Sequence, residues 1–178
     1  MIDWPTILRD HGPTVWRTVF RLLNHHPDAH DCYQETFLSA WQYASLEPVS
    51  DWRSFLVSLA ARKAIDRLRQ RYRERSRGNS LDAAPELPST LPSPHEHAAA
   101  TDLLERVRHC LAAAPDQYAQ IFWLSCVEEL SHDQISQRLE MTPGAARVLL
   151  HRARTYLRAA LSTHEPVERS PHERNIIL

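Results

Sequence analysis

The proline-rich stretch near the middle of the chain limits the fold more than any other feature. Residues 76–97 hold four prolines, at positions 85, 88, 92 and 94, together with Gly78 and several serines. Proline removes a backbone N–H and clashes with the preceding helical turn, so neither a helix nor a strand is expected to continue through this stretch. The sequence therefore predicts two folded parts joined by a semi-extended linker.

Both parts have the pattern of helices. The 178 residues include only three glycines, and 43% of the residues are hydrophobic, which is enough for a buried core. Apolar residues recur mostly with the 3.6-residue period, and alternating β-branched runs are few. We predict an all-α protein with two small helical domains, at residues 1–77 and 99–162. An acidic linker at 78–98 separates them, and a tail at 163–178, which we expect to be disordered, follows them.

Three amphipathic helices are predicted in the N-terminal part. The first spans about residues 12–24, the second runs from its N-cap Asp28 to about Tyr43, and the third begins near Trp52. The third helix continues into the basic run RLRQRYRERSR at residues 67–77. The apolar positions of the second helix form a one-sided stripe: Cys32, Phe37, Leu38 and Trp41.

The C-terminal part carries two sharp helix-start signals. Ser131 and Gln134 form a capping-box pattern, and Thr142-Pro143 gives an N-cap followed by a proline at the first helical position. A short helix, a tight turn and a long basic helix follow in the order of a helix-turn-helix motif, whose second helix enters the DNA major groove. That helix is expected to face inward through Ala146, Leu150, Ala153, Leu157 and Leu161, and outward through Arg147, His151, Arg154 and Arg158.

The formal net charge of −1 hides a strong separation of charge along the chain. Residues 53–77 hold nine Lys or Arg against two acids, and residues 141–161 hold four Arg and no acid. Between them, residues 78–105 hold five acids and no Lys or Arg. Separated basic blocks favour an anionic partner, most often nucleic acid.

Other features of the sequence exclude several functional classes. The three cysteines lie far apart and no signal-peptide-like apolar run follows Met1, so we expect a reducing, cytoplasmic setting. No segment reaches the roughly 20 apolar residues of a membrane helix, so no membrane insertion is expected. No nucleotide-binding glycine motif and no catalytic triad pattern occurs, and the sequence therefore predicts neither an enzyme nor a cofactor.

A histidine-rich stretch at residues 25–32 offers an alternative reading. Its His, Asp and Cys residues have spacings that zinc ligands can adopt, as in a metal-dependent hydrolase. We expect no metal site there, because the cluster bridges a helix start. A hydrolase would also leave both basic segments without a role.

Three longer motifs carry a family resemblance. DAHDCYQETFLSAW (Asp28 to Trp41) and WRSFLVSLAARKAIDRLRQR (Trp52 to Arg71) resemble region 2 of the extracytoplasmic-function group of bacterial sigma-70 factors. LSHDQISQRLEMTPGAARVLLHRARTYLRAAL (Leu130 to Leu161) resembles their region 4. The order, spacing and linker also match, and the resemblance covers nearly the whole chain up to about residue 162.

The resemblance implies an RNA polymerase-binding surface on the second helix. Members of this family dock on the clamp helices of the largest polymerase subunit through a D-x-x-Q-E pattern. The alternative is that Asp31 and Glu35 form a solvated pair on the helix surface. The residues assigned to the polymerase core here are Asp31, Gln34, Glu35 and Leu38.

Region 2 of the family also opens the promoter −10 element and holds a flipped base. That task needs aromatic stacking surfaces and a cationic groove for phosphates. Trp52 is equally compatible with a place in the core. The resemblance assigns this role to the loop at residues 44–51 with its flanks Tyr43 and Trp52, and to Arg62, Lys63, Arg67, Arg69 and Arg71.

Region 4 of the family reads the −35 element, and the matching positions here are Arg147, Val148, His151 and Arg152. Two departures from the family pattern concern this contact. Val148-Leu149 is apolar where members commonly carry polar or charged residues, and Glu140 occupies a turn position where members usually have glycine. We expect the −35 contact to be weaker than usual or to read a different sequence.

The resemblance implies two partners, the RNA polymerase core and promoter DNA. Many family members are also held by an anti-sigma protein, but no residue of this chain identifies one. The alternative function is a helix-turn-helix regulator that binds DNA without polymerase. That function would explain residues 130–161 but leave the pattern of Asp31, Gln34 and Glu35 unused.

Overall fold

The computed structural model describes residues 2–77 and 94–163. For residues 94–100 it describes the backbone alone. Within these ranges the chain forms α-helices and no strand, which confirms the all-α prediction. Residues 78–93 of the predicted linker and residues 164–178 of the predicted tail lie outside the described residues. The helices are α1 (Trp4–Leu23), α2 (His26–Ala44), α3 (Trp52–Ser76), α4 (Pro94–Ala113), α5 (Asp116–Cys126), α6 (His132–Arg138) and α7 (Pro143–Thr163).

Helices α1, α2 and α3 pack against one another as an N-terminal bundle. Each helix contributes small or branched apolar residues at helical spacing, so that one face of each becomes buried. Alanines on α3 allow close approach of α1 and α2. The buried centre of this bundle includes Val15, Val19 and Leu22 of α1, Ala29, Cys32 and Ala40 of α2, and Leu56, Ala60, Ala64 and Leu68 of α3.

Helix α1 begins earlier than predicted. It starts at Trp4, after an N-cap at Asp3 whose side chain accepts a hydrogen bond from the Thr6 N–H at 3.2 Å. Pro13 lies inside the helix, where it costs a backbone hydrogen bond. The predicted helix began beside this proline, at about residue 12, because packing of the whole helix against α3, which offsets that cost, is not visible in the local sequence.

Helix α2 also begins before its predicted cap. His25 is the N-cap, and its Nδ1 accepts a hydrogen bond from the backbone N–H of Asp28 at 3.4 Å. The Asp28 side chain does not cap the helix. It is buried and binds arginines of α3 instead. The prediction of Asp28 as the cap was therefore wrong.

Helices α4 to α7 form a C-terminal bundle, and its helix-turn-helix is α6 and α7. The capping box is confirmed: the Ser131 hydroxyl accepts from the Gln134 N–H at 3.2 Å, and the Gln134 side chain accepts from the Ser131 N–H at 2.9 Å. Thr142 caps α7 by accepting from the Ala145 N–H at 3.2 Å. The prediction that a proline-rich linker extends to His97 differs from the structure, because Pro94 begins α4, a position that suits proline.

The turn between α6 and α7 contains a strained residue. Glu140 has a φ of 52°, in the left-handed region that costs a residue with a Cβ about 1 kcal/mol. We expect Glu140→Gly to raise the free energy of unfolding by about 1 kcal/mol, because glycine adopts this conformation without steric conflict. Urea denaturation measures the effect, and Glu140→Ala, which keeps the Cβ, is the control. Equal stability of the two variants would contradict the prediction.

The two bundles pack together. Their buried apolar residues form one continuous cluster, and α3 contacts α4, α5 and α6.

The pKa of the Cys32 thiol is raised to about 12 by burial in this interior. Among the described helices, none is long and apolar enough to span a membrane.

Candidate nucleic-acid and protein interfaces

A polar and apolar stripe runs along the solvent face of α2. Asp31, Gln34, Glu35 and Leu38 are all exposed and recur at helical spacing, so they share one face. Leu38 is 60% exposed, and Trp41, one turn further on, is 55% exposed. The apolar stripe predicted for this helix is therefore not buried as a whole, since Leu38 and Trp41 face solvent. Their solvent exposure suits a docking surface, since large apolar side chains in a contiguous patch often mark protein interfaces.

The start of α2 is fixed to α3 by a buried carboxylate. Asp28 accepts hydrogen bonds from Nε and Nη2 of Arg67 at 2.9 and 2.7 Å. Arg71 Nε lies 3.4 Å from the second oxygen of this carboxylate, and His25 Nδ1 lies 3.0 Å from it. The carboxylate of Asp28 raises the pKa of Arg67 mainly through these hydrogen bonds. The network sets the position of the α2 stripe relative to α3.

We expect Asp28→Ala to lower the free energy of unfolding by about 2 kcal/mol, because it leaves two arginines without their buried partner. Chemical denaturation followed by circular dichroism measures the loss. Asp66→Ala is the matched control, since Asp66 is exposed and lies 3.5 Å from Arg69. An equal loss for the two substitutions would show that burial of the Asp28 carboxylate against its arginines does not contribute to the free energy of unfolding.

The aromatic residues predicted to face the −10 element lie at the start of α3 and the end of α2. Tyr43 is exposed, and its hydroxyl donates to Glu47 at 2.9 Å. Its ring lies 4.9 Å from that of Phe55. Trp52 is half-buried and packs edge-on against Trp4 at 5.4 Å. Trp52 is thus partly a packing residue, which agrees with the alternative that it belongs to the core.

The basic residues predicted for the same element are not equally available. Arg62 is exposed, and Lys63 is half-buried 3.8 Å from Glu35. Arg67 and Arg71 bind Asp28, and Arg71 Nη1 also donates to the Leu23 carbonyl at 2.8 Å. Arg69 binds the C-terminal bundle. Arginines that the family resemblance assigned to promoter DNA are therefore engaged within the protein in this conformation.

The four residues predicted for the −35 element share the exposed side of α7. Arg147, Val148, His151 and Arg152 are all exposed. Their helix is held by its opposite face, where Ala146, Leu150, Ala153 and Leu157 are buried and Leu161 is half-buried. The predicted inward and outward faces of α7 are confirmed. The N-terminal half of the helix, which carries these four residues, is the part that meets base edges in helix-turn-helix proteins.

Some residues of the structure had no signal in the sequence. Glu128, Arg108 and Arg138 form buried or half-buried bonds between the two bundles, but each lies in an unremarkable local context. Trp41 had a weak signal, since it follows Leu38 by three residues and continues the polar face of Gln34. Within the described residues, no group of three His, Cys, Asp or Glu side chains is arranged to hold a metal ion.

Two sequence-family profiles match the chain in the order of the two bundles. Residues 7–74 match the profile described as Sigma-70 region 2, and residues 104–157 match Sigma-70, region 4. Together the matches take in well over half of the chain. The chain therefore belongs to the sigma-70 family.

Curated relatives identify the group within that family. The ECF RNA polymerase sigma factor SigE of Mycolicibacterium smegmatis is 27% identical over 92% of this chain, which spans 63% of that protein's length. The RNA polymerase sigma factor YlaC of Bacillus subtilis is 26% identical, covering 92% of this chain and 94% of its own length. The chain is a member of the extracytoplasmic-function group.

Solved structures share the fold. The sigma factor RpoE from Bartonella quintana, solved in complex with the anti-sigma factor NepR, has a TM-score of 0.59 at 20% identity. The alignment covers 92% of this chain and 99% of that one. CnrH, solved in complex with the cytosolic domain of CnrY, has a TM-score of 0.58 at 20% identity, covering 90% of this chain and 88% of its own.

Proposed function

We propose that this protein binds the RNA polymerase core and directs it to promoters, where it opens the −10 element and starts transcription. The observation that carries this proposal is the presence, in one chain, of two family-matched bundles with different exposed surfaces. One surface is acidic and apolar, and the other is basic. A helix-turn-helix regulator acting alone has no use for the first surface.

The polymerase-binding surface is assigned to Asp31, Gln34, Glu35 and Leu38, to which the exposed Trp41 is added. The side chains lie on one face of α2, and Asp28 fixes that helix from the buried side. Exposed carboxylates steer a basic partner, while Leu38 and Trp41 supply apolar area that an interface buries. The partner surface is the pair of clamp helices of the largest subunit.

The promoter surfaces are assigned to both bundles. Tyr43, Trp52 and Arg62 offer stacking faces and charge to the −10 element, with Lys63, Arg67, Arg69 and Arg71 as phosphate contacts once they are released. Arg147, Val148, His151 and Arg152 are assigned to the −35 element. Val148 can contact a thymine methyl but offers no hydrogen bond, so we expect a base preference at its position rather than a phosphate contact.

The functional boundaries follow the two bundles. Residues 1–77 bind polymerase and the −10 element, residues 99–162 bind the −35 element, and residues 78–98 connect them. The protein works as an initiation factor in the cytoplasm, without catalysis of its own. An anti-sigma protein is the expected type of regulator, since two structural relatives were solved with one or with a cytosolic partner domain.

Mixing the purified chain with core polymerase tests this function against its alternatives. Co-elution on size exclusion, followed by promoter-dependent transcripts, is the expected result. DNA binding without co-elution would favour a regulator acting alone. Zinc-dependent hydrolysis, without either of the other two activities, would favour the histidine-rich stretch as a metal site.

A further inference from the structure

The end of α3 carries two arginines that the proposed function does not use. Arg73 and Arg77 are both exposed, and they lie on the same side of the chain because they are one helical turn apart. Among the residues that the structure describes, neither side chain has a hydrogen bond or an ion pair. Arg67, Arg69 and Arg71, in contrast, each bind a carboxylate. The two outer arginines are therefore available to an anion from outside the chain.

Both arginines line a groove of about 430 Å³ between α3 and α4, here called the α3–α4 groove. Its first wall is one side of the end of α3, formed by Arg69, Tyr72, Arg73, Ser76 and Arg77. Its second wall is the end of α4, formed by His109, Ala112 and Ala113. None of the described side chains that line the groove is acidic. The groove is concave and cationic, and it has the size of a small-ligand site.

Arg69 closes the inner end of the groove. Its Nε donates to the Ala112 carbonyl at 3.3 Å, and its Nη2 donates to the Ala114 carbonyl at 2.9 Å. These carbonyls lie at the C-terminal end of α4, which carries partial negative charge. The guanidinium of Arg69 offsets this charge, so the end of α4 does not repel an anion in the groove. Its own donors are used in doing so, and ligand binding therefore falls to Arg73 and Arg77.

The acidic residues near the groove are already engaged. Glu74 accepts a hydrogen bond from Gln70 Nε2 at 2.8 Å. Glu105 accepts from the Tyr72 hydroxyl at 3.0 Å and from Arg108 Nη1 at 3.2 Å. Burial, with the nearby Glu105 carboxylate, raises the pKa of Tyr72, so its phenol stays protonated and adds no negative charge. The groove therefore keeps the positive charge of its arginines.

Two aromatic rings stand beside the arginines. The ring centroids of Tyr72 and His109 are 5.0 Å apart, and their planes are nearly perpendicular, at 75°. Tyr72 is half-buried, and the Arg75 guanidinium lies 5.7 Å from its ring centroid. His109 is exposed, so its ring offers a surface on which a planar base can stack. A stacking ring next to unpaired cations is the combination that binds nucleotides.

We propose that the α3–α4 groove binds a nucleoside polyphosphate, with its phosphates on Arg73 and Arg77 and its base on His109. Guanidinium groups donate paired hydrogen bonds to phosphate oxygens, and these charge-assisted bonds are strong. The phosphates of DNA share this chemistry, but a groove of this volume holds a single nucleotide and not a duplex. The inference goes beyond the proposed function, because it gives the chain a small-molecule ligand in addition to polymerase and promoter.

Titration calorimetry of the free full-length chain tests the site. The probes are guanosine 5′-triphosphate (GTP) and inorganic tripolyphosphate, which has the same phosphates and no ring, both in magnesium-free buffer. We expect saturable binding of GTP, weakened about tenfold by Arg73→Ala, because charge-assisted hydrogen bonds are lost. His109→Ala should weaken GTP binding about fivefold and leave tripolyphosphate binding unchanged, because only the base loses its stacking partner.

Arg17→Ala is the matched control. Arg17 is an exposed arginine of α1, away from the groove, so its loss should leave GTP binding unchanged. Circular dichroism of each variant checks that the fold is retained. Unchanged tripolyphosphate binding by His109→Ala additionally shows that the arginines of the groove are still in place.

Four results would overturn the proposal. The first is the absence of saturable GTP binding, and the second is an equal loss in Arg73→Ala and Arg17→Ala, which would indicate general charge attraction. The third is equal affinity of the wild type for GTP and tripolyphosphate, which would exclude a nucleoside. The fourth is binding of single-stranded oligothymidylate, weakened by Arg73→Ala, without GTP binding, which would assign the arginines to DNA. Because no polymerase is present, these results are independent of the co-elution experiment that tests the proposed function.

Discussion

Replacing Leu38 with arginine should weaken binding to the polymerase core about hundredfold, the loss expected at the centre of an interface. Leu38 lies in the middle of the exposed α2 stripe, between Glu35 and Trp41. The substitution removes an apolar contact. It also places a cation against the polymerase surface, which is expected to be basic because the neighbouring carboxylates of the stripe attract it. Because the side chain is largely exposed, the fold should not change. Fluorescence anisotropy with labelled chain and purified core polymerase measures the affinity.

Leu8→Arg is the matched control for this experiment. Leu8 is an exposed leucine of α1, so the same change in charge and size occurs away from the stripe. We expect its affinity for the core to stay within about twofold of the wild type, as for a residue outside an interface. Equal losses in the two variants would mean that added charge, not position, weakens binding. If neither variant loses affinity, the polymerase-binding surface lies elsewhere on the protein.

Arg147→Ala should weaken binding of the assembled holoenzyme to its promoter by about thirtyfold, the effect of removing one arginine from a base edge. Arg147 lies in the second turn of α7, exposed on the face opposite the buried alanines and leucines. The loss should be confined to promoters with a matching −35 element. Footprinting of holoenzyme on such a promoter measures it as lost protection upstream.

Arg158→Ala serves as the control on α7. It removes the same charge from the same face three turns further along, beyond the part of the helix that meets base edges. We expect a small, uniform loss that depends on salt, as for a phosphate contact. Strong protection at −35 that Arg147→Ala leaves unchanged would refute the assignment of α7 as the reading helix.

The local signals of the sequence determined α6 and α7 well. Capping at Ser131 and Thr142 depends on residues within one helical turn, so the start of each helix can be read directly. The inward face of α7 follows from spacing alone. The strain at Glu140 could also be predicted from the sequence, because family members usually have glycine at the position where the structure has a φ of 52°.

Features that depend on distant contacts could not be read in this way. The family resemblance assigned Arg69 to promoter DNA, but the end of α4 covers it. Asp28 had the position of a cap, but its carboxylate is buried and binds Arg67 and Arg71 of α3 instead. The apolar stripe of α2 was visible in the sequence, but periodicity does not identify the partner that buries Leu38 and Trp41. For these two, the proposed burial partner is RNA polymerase.

Mapping RNA 5′ ends in cells that overproduce the chain tests the central claim most directly. The account predicts a new set of 5′ ends preceded by shared sequence elements near −10 and −35, and loss of that whole set with the Leu38→Arg variant. New 5′ ends that persist with Leu38→Arg, or new ends without any shared upstream elements, would contradict promoter direction through the polymerase core.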